Sequence, residues 1–536
     1  MFARFFNSKT TTVSGAAILL AASFFVSRIL GVVRDRLLAG RFGAGEELDI
    51  YFAAFRIPDF IYGILIMGGF TAVFLPIFSQ YFEKQKEEAW LLASHLFNAL
   101  LVGMLFLSVV LFLFMSPLIK LVTPGFTSEM RQAVVPLANL MLLSPILLGI
   151  SAVFSGVLQY FQRFLAYSLA PLLYNLGIIF GILFLEPLFG IMGLGWGVIV
   201  GVLAHLAIQI YPAVQSGFRW NLALRLYHPA MKQLLSLMAP RTLGAAAYHL
   251  NLTFVTAVAS TLALGSIAIF NFANNLHFFP IALIGVSFGT AVFPALSRDY
   301  AQGENGAFIR HFASGLRQVM FFVVPISLFM FLLRSQIVGL LLGTGEFDAL
   351  AERLTAATLG IFAFGILSQA FVPYFIRAFF ALKDTVTSTL IGIASVALNV
   401  ALVFFFVKVF SYPNPARDAV LRILGLEGTG DIRIIALPLA LSLSSLFSFI
   451  LLGVCLQRKV KEIYPEEIFR SLRNICVGGA FLFFSTFVFL RMSPAFLERT
   501  TFWGLLGETV GALLVGGAAY LLCIVLLKSR EGVAQS

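Results

Sequence analysis

The chain has 536 residues, of which 60% are hydrophobic, 59 are phenylalanine and only 11% are charged. So little charge over this length excludes a soluble globular domain. The net charge of +11 would suggest nucleic acid in a soluble protein; here it points to basic cytoplasmic loops and a few cations within a membrane, with no nucleic-acid partner.

Apolar runs of membrane-crossing length recur from end to end, which makes this an all-α polytopic membrane protein. About fourteen spans are read, over 13–36, 49–80, 90–115, 132–158, 165–186, 190–213, 232–263, 266–296, 311–342, 354–380, 385–409, 433–457, 470–490 and 503–527. The first follows Arg4 and Lys9, as a signal peptide would, but it outruns any cleavage length and ends in Arg34 and Asp35. It is therefore read as a retained helix. Arg28 lies inside it, and a charge in hydrocarbon costs at least about 3 kcal/mol, so it marks a pathway or binding site by default. Arg28 and Asp35 share a helix face with Gly31 between them, and Arg34 lies about 9 Å along the axis from Arg28 on an adjacent face.

In the second span Asp49, Arg56 and Asp59 surround "YFAAFRIPDF", where Pro58 is expected to bend the helix. The seventh span carries Arg241 after Pro240. Segment 411–432 reads as an outer loop with a short amphipathic helix, and 458–470 as a cytoplasmic linker. Glu508 stands near the start of the last span, where a carboxylate at the interface is cheap and favoured by the helix N-terminus. Small residues cluster in "MGGF" (67–70), "GLGWG" (193–197), "GVSFG" (285–289) and "GGAAY" (516–520), which allows close helix approach.

An even number of spans puts both termini on one side. Basic residues, among them Lys84, Arg163, Arg219, Arg298, Lys383 and Lys459, collect in the loops of that side, whereas 343–353 holds Glu346, Asp348 and Glu352. Both termini are thus expected in the cytoplasm. "TAVFLPIFSQY" (71–81) resembles "TAVFPALSRDY" (290–300), "SRILG" (27–31) resembles "PRTLG" (240–244), and "LLYNLGIIFG" (172–181) loosely matches "ASVALNVALV" (394–403). The offset of roughly 215–225 residues is about six spans, so the repeat is parallel. It divides the chain into a first lobe over 1–225, a second over 226–460, and two extra helices over 461–536.

Nothing suggests covalent catalysis. No glycine loop leads into Lys-Ser or Lys-Thr, and no histidine pair has metal-ligand spacing. His249 and His277 read as packed or hydrogen-bonded, and Cys455, Cys476 and Cys523 as plain core residues. No cofactor or metal follows. The arginines are the informative groups, because a guanidinium fork suits a phosphate or diphosphate and stays charged. The alternative is that they snorkel to an interface or lock onto Asp35, Asp49 or Asp59.

These motifs carry a resemblance. "SRILGVVRD" (27–35), "FGAGEELDIYFAAFRIPDF" (42–60), "GGFTAVFLPIFSQY" (68–81), "TPGF" (123–126), "SGVLQYFQRFLAYSLAPLLYN" (155–175), "PRTLG" (240–244), "GVSFGTAVFPALS" (285–297) and "RAFFALKDT" (377–385) resemble the MurJ (MviN) family of lipid II flippases. That family lies within the multidrug/oligosaccharidyl-lipid/polysaccharide exporter superfamily. The resemblance covers essentially spans one to eleven and implies fourteen helices in two lobes, with a lipid-facing groove on the last two. It implies Arg28 and Arg34 as essential first-helix arginines, Asp35 and Asp49 as acidic positions associated with the outer gate, and Arg56 as a basic second-helix position. Two positions depart from the family pattern. Tyr62 stands where a cavity arginine is common, and Asn274 and Asn275 stand where an acidic–arginine pair is frequent; Arg241 is the candidate to compensate.

By this resemblance the protein is expected to move undecaprenyl-diphosphate-linked peptidoglycan precursor (lipid II) between leaflets of the bacterial cytoplasmic membrane by alternating access, as a monomer among membrane lipids. Arg28, Arg34, Arg56, Arg241 and Asn275 would meet the headgroup, and Asp35, Asp49 and Asp59 would serve as gate or ion-pair residues. Ion coupling is expected, with Na+, H+ and Cl− as candidates. The alternatives are a flippase for another polysaccharide-linked lipid, a cation-coupled multidrug antiporter, whose cationic cargo would want buried carboxylates, and a scaffold without transport.

Overall fold

The computed structural model describes residues 13–64, 70–222, 229–461, 463, 466–495, 497–498 and 501–527, with a few side chains inside helices, Arg241 among them, left out. No strand occurs among the described residues. In hydrocarbon every backbone N–H and C=O must be satisfied within its own segment, and a helix does this for sequences rich in Leu, Ile, Val and Phe. Eleven helices among the described residues are long and apolar enough to cross a membrane. The expected spans over 13–36, 49–80 and 232–263 are not among those eleven, although helix occupies all three regions.

The first helix, α1, runs Val13–Phe42. The expected second span is broken into α2 (Glu46–Ala54), α3 (Arg56–Tyr62) and α4 (Phe70–Lys84). Pro58 sits in the first turn of α3, where its missing N–H would have had no helical partner, so the break falls at Phe55 just before it. Next come α5 (Lys86–Val122), α6 (Ser128–Met141), α7 (Leu143–Tyr160), α8 (Phe164–Phe180), the short α9 (Glu186–Phe189), α10 (Ile191–Gln215) and α11 (Pro229–Ala259).

The chain continues with α12 (Ser266–Pro280), α13 (Ser287–Gln302), α14 (Asn305–Leu332), the short α15 (Arg334–Leu341), α16 (Ala349–Ala381), α17 (Thr385–Ser411), α18 (Pro415–Leu424), α19 (Ala436–Lys459), α20 (Glu466–Met492) and α21 (Phe502–Leu526). The short amphipathic helix expected within 411–432 is α18; Asn414 caps it by accepting the Arg417 N–H at 2.9 Å.

Packing divides the chain into two compact units, Met1–Ile267 and Ala268–Ser536. In the first, α1 lies along α8, α8 along α10, and α11 packs on α3, α4 and α5. The repeat places its boundary before α11, whereas this packing keeps α11 with the first unit. "GLGWG" does permit close approach: a Cβ on Gly197 would strike the backbone of Gly181, and one on Gly193 that of Leu185. A stack of Phe70, Phe74 and Phe78, with ring centroids 5.5 and 5.2 Å apart, forms the spine of this unit's core. In the second unit α16 packs on α13, α14 and α19, while α20 pairs with α21 and lies on α14. Fully buried Tyr374 on α16 donates its hydroxyl to the Phe312 carbonyl at 2.8 Å.

The repeated motifs occupy matching places. "TAVFLPIFSQY" lies in α4 and "TAVFPALSRDY" in α13, each with an internal proline, and each closes the second expected span of its half of the sequence repeat.

Candidate functional site

The α1 helix carries Arg28, Arg34 and Asp35. Arg34 Nε and Nη2 both donate to Asp35 Oδ1, at 3.0 and 2.8 Å, and Nη1 donates to Asn175 Oδ1 on α8 at 3.2 Å. Asn175 Nδ2 donates in turn to Ser27 Oγ at 3.3 Å and to the Pro171 carbonyl at 3.2 Å. The amide thus holds one face of the guanidinium and also ties α8 to α1. Charge-assisted bonds of this kind are roughly twice as strong as neutral ones.

A second pair lies on α3. Buried Arg56 is within electrostatic reach of Asp59, three residues on, and of Tyr248 from α11. Tyr51 and Tyr174 connect the two pairs, because each is in reach of both Arg34 and Asp59. Arg28 is exposed and lies in reach of Arg34 and Asp35. Counted as ionised, this cluster sets three guanidiniums against two carboxylates, an excess of one positive charge.

Asp49 does different work. Almost completely buried at the start of α2, it accepts the Gly265 N–H through Oδ2 at 2.8 Å. Gly265 has φ +83°, and a Cβ there would collide with the Ala44 carbonyl, so only glycine fits. Nearby, the Gly125 N–H of the "TPGF" turn donates to Ser260 Oγ at 3.2 Å. Three loops of the first unit, around 43–45, 123–127 and 260–265, are therefore fastened together.

The backbone of Arg241 belongs to α11, but its side chain lies outside the described residues. Asn275 is half-buried on α12 in the second unit. Tyr62, at the end of α3, is in reach of Asp59 and Tyr167. Asn175, Tyr51 and Tyr174 were not anticipated as arginine partners. The available signal was the asparagine of "LLYNLG", a polar group in a span where polar groups are costly.

Other polar residues settle as packing. His277 is buried with Nδ1 2.9 Å from the Asn274 carbonyl and Nε2 3.0 Å from Gln369 Oε1, and it stacks on Phe362. Of the cysteines, only Cys523 is in the core; Cys455 is half-buried and Cys476 exposed, because α20 turns that face away from its packing partners. Glu508, expected at an interface, is completely buried: it accepts hydrogen bonds from Ser493 and, at 3.2 Å, from Gln336 Nε2 of α15.

Apolar helices around a net-cationic cluster define a polytopic helical membrane protein with a site suited to an anion. A family model described as "Lipid II flippase MurJ" matches residues 38–502, and the chain belongs to that family, as its motifs suggest. It is 25% identical over 523 residues to a probable lipid II flippase MurJ of Buchnera aphidicola subsp. Acyrthosiphon pisum, covering 94% of this chain and 95% of that protein. It is 27% identical over 409 residues to the lipid II flippase MurJ of Burkholderia cenocepacia, covering 74% and 79%. Among solved structures, a lipid II flippase MurJ in an inward closed conformation superposes with a TM-score of 0.76 at 22% identity, covering 95% of this chain and 99% of the other. An inward-facing multidrug resistance MATE family transporter of the MOP superfamily gives 0.65 at 16%, covering 83% and 98%. These two likenesses establish the fold.

Proposed function

We propose that this protein carries lipid II, the undecaprenyl-diphosphate-linked peptidoglycan precursor, from the inner to the outer leaflet of the bacterial cytoplasmic membrane, without a covalent step. The observation that carries this reading is the cluster, among the described residues, of Arg28, Arg34 and Arg56 with Asp35 and Asp59 on α1 and α3. A diphosphate leaving water loses its hydration, and preplaced guanidinium donors replace it. The bonds from Arg34 to Asp35 and Asn175 favour binding as well as structure, because a fork already held in position loses less freedom when the anion arrives.

With both termini in the cytoplasm, the membrane potential favours outward movement of negative charge by about 2.3 kcal/mol per charge at 100 mV. A drug antiporter fits less well, because cationic cargo needs carboxylates in excess and here guanidinium is in excess. The test is complementation of a bacterium depleted of its own lipid II flippase. Growth with the wild-type chain, and its loss with a normally inserted Arg28→Ala variant, is the expected result. Normal membrane insertion of the wild type without growth would count against the reading.

A further inference from the structure

Beside the arginine cluster, still within the first unit, lies a cavity of about 200 Å³. Ser23, Tyr62, Ser155, Tyr167, Ser168 and His205 line it together with apolar groups, and no Asp, Glu, Lys or Arg is among its described lining residues. Hydrogen bonds stiffen its wall. Ser155 Oγ donates to Gln209 Oε1 at 2.8 Å, and Ser151 Oγ lies 2.9 Å from His205 Nδ1, so two residues one turn apart on α7 meet two residues one turn apart on α10.

Two helices join this cavity to the cations. On α1, Leu20 and Phe24 line the cavity, and Arg28 follows one turn later on the same face, about 6 Å along the axis. On α8, Ser168 and Pro171 line the cavity, and Asn175, which holds Arg34, follows one turn after Pro171 and donates to its carbonyl. A neutral, hydroxyl-rich chamber thus adjoins a cationic cluster at the distance of one bonded chemical group.

We propose that this chamber is a subsite for the sugar ring bonded directly to the lipid-linked diphosphate; the inference rests on the diphosphate reading above. Hydroxyls, an imidazole and two tyrosines suit a polyhydroxy ring, and a lining without charge suits neither an ion nor a second phosphate. A cavity of about 200 Å³ leaves room for one ring.

The test uses the purified full chain in nanodiscs and two probes, undecaprenyl diphosphate and the undecaprenyl-diphosphate-linked saccharide-peptide. The wild type is expected to bind the glycosylated lipid about tenfold more tightly than the bare diphosphate. Ser23→Leu, which fills the chamber, should bring that ratio close to one, and Tyr167→Phe, which removes a single hydroxyl, should reduce it about threefold. Arg28→Ala should weaken both lipids alike. A wild type that binds both lipids equally, or variants that leave the ratio unchanged, overturns the sugar subsite while the diphosphate reading stands. A wild type that binds neither lipid overturns both.

Discussion

Arg34 shows how one residue can serve structure and function together. Its fork holds Asp35 on its own helix and Asn175 on another, and both partners fix where the positive charge lies. A hydrogen bond to a charged group contributes about 1.5–3 kcal/mol. Asn175→Leu is therefore expected to weaken binding of undecaprenyl diphosphate about tenfold, which equilibrium binding in nanodiscs would measure; unchanged affinity would show that the amide does not position the guanidinium. A second charge effect lies outside the spans. Asp384 caps α17 and pairs with Lys459 at 2.8 Å. Burial opposes its ionisation, but the bonds from Lys459 and Thr387 outweigh burial and bring its carboxyl down to about 2. Because this lies below the unfolded value, the stabilisation is fully present above about pH 4 and is lost as pH falls through about 2. Thermal melts of wild type and Asp384→Asn should differ at pH 7, and the difference should shrink on acidification; a difference undiminished at pH 2 would refute the assignment.

At the scale of elements, apolar runs of membrane-crossing length made most helices legible, and the short amphipathic helix read within 411–432 is α18. Breaks and partners were harder to read. The second span splits at Phe55 because Pro58 selects a helix start, a choice that a hydropathy window averages away. Asp49 was recognisable as a buried acid, but its partner Gly265 lies 216 residues later, and nothing local connects them. Gly265→Ala should lower the melting temperature markedly, since it combines a strained φ with a collision at Ala44; a melt equal to wild type would contradict this geometry. Glu508 looked interfacial because its neighbours in sequence are the helix start, whereas its hydrogen-bond partner Gln336 lies on α15. Glu508→Leu leaves Gln336 and Ser493 without this acceptor and should cost about 1–3 kcal/mol, while Glu508→Gln keeps an acceptor and should cost less. Equal losses in a detergent melt would show that the hydrogen bonds do not matter.

For the whole molecule, composition and the internal repeat were enough to indicate a helical membrane protein with two related halves, and the motifs of spans one to eleven indicated the family to which the chain belongs. Where the compact units divide was not legible, because α11 belongs by repeat to one half and by packing to the other. The chemistry of the site was legible as residue types and not as an arrangement: Arg28, Arg34 and Arg56 stand out as charges in apolar sequence, while Tyr51, Tyr174 and Asn175, which join them, resemble ordinary span residues. The central claim is that these arginines carry a lipid-linked diphosphate across the membrane. It is tested most directly in spheroplasts depleted of their own flippase, by measuring how much radiolabelled lipid II becomes accessible to an externally added enzyme that cleaves it. Wild-type chain should restore cleavage, and Arg28→Ala at equal membrane level should reduce it at least tenfold. Cleavage restored equally by both chains, or by neither, would contradict the claim.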